Sequence, residues 1–359
     1  LINVSGSCFQ KNDVKLILLN LRSQKIEAVL MDRHTKYSKL IVVTFFVLNM
    51  AISAFTQNKP SSFVNNSGQL NYSSLDNWYS RKLKESVLLS GNTIELYGVG
   101  EVDAKADLFD LKLKDPVSPW GTTNVFAKMV LDVGNTRVFP EKRGNGYCAR
   151  LETKIRKDNI AGFKVDVLLS GTLFVGEMIE PVHGMKDPIK NVSQGIPFTG
   201  MPKAVKFDYK YNVGKTRVQA TTNITPVDGP DKAEFAIILQ KRWEDKDGNV
   251  FATRIGGARQ FYTGTQAQWV NGATYPVTYG DVTHLPIYEP KTMGLIPSVG
   301  EVYVKNTKGK MVPLVETGWG KPGDAPTHMI LYFTSSFQGV EYIGSTESVF
   351  WVDNIELVY

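Results

Sequence analysis

From residue 93 onward, apolar and polar side chains alternate in short runs separated by clusters of glycine, proline, asparagine and aspartate. A period of two with such punctuation predicts half-buried β-strands. The runs are TIELYGV (93–99), FAKMVLDV (126–133), YCARLETKI (147–155), KAVKFDYKYNV (203–213), EFAIILQKRW (234–243), VFATRI (250–255), HMILYFTSS (328–336) and SVFWVDNIELVY (348–359). In KAVKFDYKY, Ala204, Lys206, Asp208 and Lys210 share one face, and Val205, Phe207, Tyr209 and Tyr211 share the other. One side is therefore core, and the other is wet or ligand-facing. The polar pair Asp353-Asn354 breaks the last run where a strand would bend or bulge. EDKDGN (244–249) reads as a tight turn with Asp-Gly at positive φ. It does not read as a calcium loop, because Val250 and Gly256 stand where an EF-hand needs its glycine and its glutamate. Long amphipathic helices and a βαβ rhythm are both absent, which predicts an all-β fold, a two-sheet jelly-roll β-sandwich.

The first part of the chain follows other rules. From Met31, the basic residues Arg33, Lys36 and Lys39 precede an apolar run from Ile41 to Ala54, with Ile52-Ser53-Ala54 as a cleavage site. That layout predicts a signal peptide over 31–54. The competing membrane anchor needs roughly 20 apolar residues, and Leu40 to Phe55 is shorter and contains Asn49. Residues 1–30 precede that methionine and are expected to be upstream or non-native sequence. Residues 55–75 are expected to form a polar linker, leaving 76–359 as the sandwich. The product is then exported, periplasmic or extracellular, with no stable membrane span after cleavage.

Charge adds little once the leader is set aside. Of 41 basic and 35 acidic residues, 7 and 3 lie in the first 57, so the remainder carries a net charge of only +2. No basic stripe suited to nucleic acid is present. Beyond the leader, Cys148 is the single cysteine, so stability must come from a core and not from a disulfide. Its strand-like setting marks it as a buried small hydrophobe, and the histidines His183, His284 and His328 sit in loop-like runs.

Several segments together carry a family resemblance: Asn77-Trp78, PWGTTN (119–124), GYCARLET (146–153), SGTLFVGE (170–177), GIPFTGMPKAVKFDYKY (195–211), TSSFQGVEYIGS (334–345) and VDNIELVY (352–359). By these the chain resembles the putative carbohydrate metabolism domain family, extracytoplasmic proteins of glycan-foraging Bacteroidota. The resemblance implies a jelly roll similar to carbohydrate-binding modules, an oligo- or polysaccharide partner, and other glycan-use surface proteins as neighbours. It brings no catalytic residue set. Relatives tend to carry a lipobox cysteine after the apolar run, and Ala51 to Gln57 contains none, so the chain is not an evident lipoprotein.

Sugar recognition needs aromatic rings for the C–H faces and polar groups for the hydroxyls. PWGTTN offers Trp120 with Thr123 and Asn124 in six residues, the alternative being a tryptophan that plugs one end of the sandwich. Asp208 and Lys210 share a strand face, and Trp319 in a glycine-rich loop is a second stacking candidate; Trp243 and Trp269 also adjoin charged or glycine-rich segments. No cofactor is expected. By analogy with similar jelly rolls, a structural calcium is considered between Asp353 and Asp76, against a bulge in which Asp353 bonds nearby backbone. Hydrolysis would need two convergent carboxyl groups, for which Asp208, Glu152, Glu177, Glu234, Glu316 and Glu341 are all available. Neither G-x-S-x-G nor HExxH occurs. The expectation is a non-catalytic glycan-binding protein, with a glycoside hydrolase or polysaccharide lyase as the alternative and a structural surface or assembly module as a third reading.

Overall fold

The computed structural model describes residues 63–359 apart from 90, 103–113, 115, 129–130, 161–162, 185–186, 297–301 and 322. The expected leader and upstream segment lie outside the described residues. Ser61–Tyr359 forms one compact unit. Its first strands are β1 (Trp78–Lys84), β2 (Thr93–Val99), β3 (Trp120–Thr122), β4 (Val125–Lys128), β5 (Asp132–Asn135) and β6 (Val138–Arg143). There follow β7 (Gly146–Ile160), β8 (Phe163–Ser170), β9 (Thr172–Met178), β10 (Val192–Gln194), β11 (Ile196–Pro197) and β12 (Ala204–Asn212). Next come β13 (Arg217–Ala220), β14 (Ile224–Val227), β15 (Ala233–Glu244), β16 (Val250–Tyr262), β17 (Thr265–Pro276) and β18 (Thr278–Tyr279). The last are β19 (Tyr303–Lys305), β20 (Met311–Trp319), β21 (His328–Thr334), β22 (Ile343–Gly344) and β23 (Val349–Val358).

Two sheets dominate, and their facing side chains make the core, so the expected all-β sandwich is the observed architecture. The smaller sheet runs β17-β12-β23-β7-β6, with β8 on β7; the larger runs β11-β21-β15-β16-β20-β19-β10-β9-β3, with β18 on β16. Phe207 of β12, fully buried, meets Phe235 of β15 at 4.8 Å and Phe333 of β21 at 4.9 Å between ring centroids. Contacts in this range add to the transfer free energy of the rings themselves. The larger sheet also curls until β9 pairs with β21, closing seven of its strands into a ring. Val250, Ala252, Val304, Val312, Leu314 and Ile330 form a second, smaller core on it, next to the buried Arg254–Glu316 ion pair. The alternation in the sequence marked the strands but not this closure, which depends on long-range pairing.

Two expected boundaries change. The run 126–133 is not one strand but a hairpin, in which Val125 to Lys128 pair with Asn135 to Asp132. The polar run 55–75 is not a linker over its described part. Leu70 and Leu75 are buried in the main core, and Gln69 bonds the backbone of Leu357 through both its amide groups. Buried leucines spaced among turn residues give no periodic signal, so composition alone read them as a tether. The Asp353-Asn354 bulge is present: Asn354 has φ +48°, and the β12–β23 register slips between Lys206 and Asp208. Asparagine tolerates that conformation better than most residues. Asp245 caps the 244–249 turn through the backbone N–H groups of Asp247 and Asn249.

One titration is built into this frame. Burial, helped by the nearby Arg242 charge, drives the His328 imidazole down to about 3, so it stays neutral in the fold. Below pH about 6.5 the unfolded chain takes up a proton that the folded chain refuses, and stability falls. Between pH 7 and pH 5 the loss is expected to be roughly 2 kcal/mol by denaturant titration, and His328→Asn is expected to flatten that slope. An equally steep slope in the variant would assign the pH dependence elsewhere.

Candidate functional site

The outward face of the smaller sheet collects the chemistry. Because β12 alternates, Val205 and Phe207 are sealed inside, while Lys206, Asp208 and Lys210 project from the other side. Strand register then fixes a transverse row: Lys210 lies opposite Trp351, Trp351 opposite Arg150, and Arg150 opposite Phe139. Trp269 of β17 completes it at the sheet edge, with Lys210 Nζ 5.3 Å from its ring centroid and 4.5 Å from that of Trp351. The Arg150 guanidinium stands 4.4 Å from the Phe139 ring. Aromatic rings and cations thus alternate across five strands, about 19 Å at the usual strand spacing. Trp269 and Trp351 are each half-buried, and Trp351 Nε1 donates to Glu141 at 2.9 Å.

Beside the row sits a salt-bridged knot. Arg143 Nη1 donates to Asp208 at 2.8 Å and to Asp353 at 2.6 Å, its Nη2 donates to Asn271, and its guanidinium lies 3.9 Å from the Trp269 ring centroid. Burial pushes the Asp208 carboxyl up, but hydrogen bonds from Asn354, the Gly272 N–H and Arg143 outweigh it and hold the group below its ordinary value. For Asp353 burial wins, and the carboxyl is raised despite Arg143. Arg143 fills the gap between this carboxylate pair, where a glycosidic bond would have to lie for the two to act on it. Glu141 and Glu152 are likewise tied to Arg150, at 3.1 and 2.5 Å. Arg150 and Glu152 stand two positions apart on β7 and so share a strand face. Cys148 is buried, with its thiol pushed up to about 12 by burial first and by Asp353 and Glu141 next, which leaves it an inert packing group.

The residues singled out from the sequence divide. Asp208 and Lys210 lie on this face. Trp120 does not: it is 5 % exposed, packs in the main core and donates Nε1 to the Asn71 carbonyl at 3.0 Å. Its expected role as an open stacking platform is therefore corrected to that of an end plug. Thr123 ties Ser170 O to Thr172 N–H, and buried Asn124 uses both amide groups on the backbone of Tyr97, Arg137 and Val138. Both are committed to backbone and are corrected with Trp120. Trp319 is half-buried on β20 of the larger sheet, with the Arg254 guanidinium 5.7 Å from its ring, away from the row.

The Asp76–Asp353 pair does not suit calcium. Asp76 Oδ1 accepts the Tyr147 N–H at 3.0 Å, a close approach that the missing side chain of Gly146 permits. Asp353 spends one oxygen on Arg143 and the other on the Asn354 N–H. A guanidinium in contact with the carboxylate competes with a hard cation for the same oxygens. Among the described residues, no group of three or more His, Cys, Asp or Glu side chains is placed to hold a metal.

The residues that sequence reasoning missed are Trp351, Phe139 and the full part played by Trp269. Trp351 sits in a run that reads as core, and only the pairing register shows that it faces outward beside Lys210.

Comparison with known proteins adds a family match that reaches this face. A family model described as Putative carbohydrate metabolism domain matches residues 109–270, spanning β3 to β17 and so the Asp208, Lys210 and Trp269 part of the face. No curated protein matches the chain. Among solved structures, a putative glycoside hydrolase from Bacteroides thetaiotaomicron is similar at TM-score 0.40 and 18 % identity, over 62 % of this chain and 57 % of its own. A second, a putative glycoside hydrolase from Bacteroides vulgatus, is similar at TM-score 0.39 and 16 % identity, over 62 % of this chain and 77 % of its own.

Proposed function

We propose that this chain, which belongs to the putative carbohydrate metabolism domain family through residues 109–270, is an exported glycan-binding protein that holds its ligand without cleaving it. The family description gives a carbohydrate-related role, and the outer face of the smaller sheet gives the means. The observation that carries the reading is the row Trp269, Lys210, Trp351, Arg150, Phe139, in which rings for C–H faces alternate with donors for hydroxyls. Nearby charges come close to balance: Arg143, Arg150, Lys206 and Lys210 stand against Asp208, Asp353, Glu141, Glu152 and Glu356. A face balanced in this way suits neutral saccharides better than polyanions. Among the described residues, the Asp208–Asp353 and Glu141–Glu152 carboxylates are each bridged by an arginine, which favours binding over hydrolysis. Export to the periplasm or cell exterior rests on the leader-like pattern of residues 31–54. Among the described residues, no helix is long and apolar enough to cross a membrane.

A glycan array probed with the full chain, with reducing-end release assayed on each glycan that binds, tests this reading. Retention of neutral glycans without sugar release is the expected result. Steady release from any bound glycan would replace it with the hydrolase or lyase alternative.

A further inference from the structure

We infer that the groove where the aromatic row ends at β6 is a chain-end pocket, which seats the terminal residue of a neutral oligosaccharide while the residues that follow it lie along the row. The inference rests on the glycan-binding reading above and adds to it a direction and a requirement for a free end. The groove, of about 470 Å³, lies between β2, β5 and β6. That volume is within the range of small-ligand sites. Phe139 belongs to both features: it is the last ring of the row and a wall of the groove, and Tyr97 extends that wall at 6.0 Å between centroids with a 53° tilt.

What turns a row into an end is β2. Thr136 Oγ1 donates to the Glu95 carbonyl at 2.6 Å, and Asn124 Nδ2 donates to the Tyr97 carbonyl at 2.9 Å, so this strand is fixed against the segment leading into β6. In this reading a chain lying along the row meets Tyr97 and Glu95, the lining residues beyond Phe139, and ends on them. The lining is chemically suited to one sugar ring. Tyr97 and Phe139 offer an apolar wall, and the Glu95 carboxylate, which accepts the Tyr97 hydroxyl at 2.6 Å, remains 40 % exposed at the rim. Arg156 is spent on Glu85 and Asp158, Glu95 faces Lys82 at 3.9 Å, and Arg137 shares Glu152 with Arg150, so the groove has little surplus charge for an acidic sugar.

Two lining residues also carry unmet polar atoms. Asn135 Oδ1 and Arg137 Nε are buried without a hydrogen-bond partner, one an acceptor and the other a donor. Native structures leave few such atoms, because burying them unpaired is costly. A sugar hydroxyl is donor and acceptor at once and so matches both atoms, on side chains that the Asn135 Nδ2–Thr123 and Arg137 Nη1–Thr136 carbonyl bonds hold at the groove.

The test is isothermal titration of the full chain with linear cello-, xylo-, manno- and malto-oligosaccharides, followed by a pull-down on the parent polymer of whichever series binds. Tyr97→Ala is expected to weaken binding of that series about tenfold, and Glu95→Gln, at an exposed side chain, about threefold. The polymer is expected to retain protein in proportion to its number of ends. If Tyr97→Ala fails to fold, Glu95→Gln and the polymer count decide. Unchanged affinity in the folded variants, or protein retained in proportion to polymer length, overturns the chain-end pocket. Loss of affinity in Trp351→Ala alongside such a result leaves the row standing and removes only the pocket. Failure of every series to bind removes both.

Discussion

Trp351→Ala is expected to weaken glycan binding by about 2 kcal/mol, roughly thirtyfold in Kd, with little change in fold. Trp351 is the central ring of the row, half-buried, with Lys210 on its face and Glu141 on its Nε1. Truncation removes a stacking surface and frees Lys210 and Glu141 to rearrange, so both the apolar and the polar halves of the subsite are lost. Trp351→Phe keeps a smaller ring and is expected to fall between. Trp269→Ala is expected to cost less, because Trp269 lies on the edge strand β17 and the Arg143 guanidinium already sits on its ring. Titration of the three variants against a neutral oligosaccharide checks the order. Wild-type affinity in Trp351→Ala would place the ligand on another surface.

That ordering was not available from the sequence, and the reason is physical. Alternation assigns a side chain to one of two faces, and for β12 it did so correctly: Phe207 went inward and Asp208 and Lys210 outward. It does not say which strands lie side by side. Trp269 and Trp351 are 82 positions apart and become neighbours of Lys210 only through the β17-β12-β23 pairing. β17 itself, TQAQWVNGATYP, shows almost no apolar alternation, because an edge strand with much of both faces in water needs none. The bulge at Asp353-Asn354 was legible, since two adjacent polar side chains in an otherwise apolar strand mark a local break in the ladder. The partner of Asp353 was not, because an arginine 210 residues away supplies the charge that a bound cation was expected to supply.

The opposite error, a surface assignment for a core residue, leads to the second large effect. Trp120 sits in a Pro/Gly-rich turn, and turns lie on the surface as a rule. Here the turn opens β3, a short strand on β9, which carries the indole into the main core against Leu173, Val175 and the other buried side chains. Trp120→Ala is expected to destabilise the fold by about 3–5 kcal/mol, from a cavity of indole size and an Asn71 carbonyl left without its donor. Spread over a domain of this size, the loss corresponds to a fall in Tm on the order of 10 °C. Affinity for glycan, measured well below the new midpoint, is expected to stay at the wild-type value, because Trp120 touches the core and not the row. A variant that melts like the wild type but loses its ligand would return Trp120 to the binding surface. A variant that melts early and still binds separates the two tryptophans by role: Trp120 holds the sandwich together, and Trp351 meets the sugar.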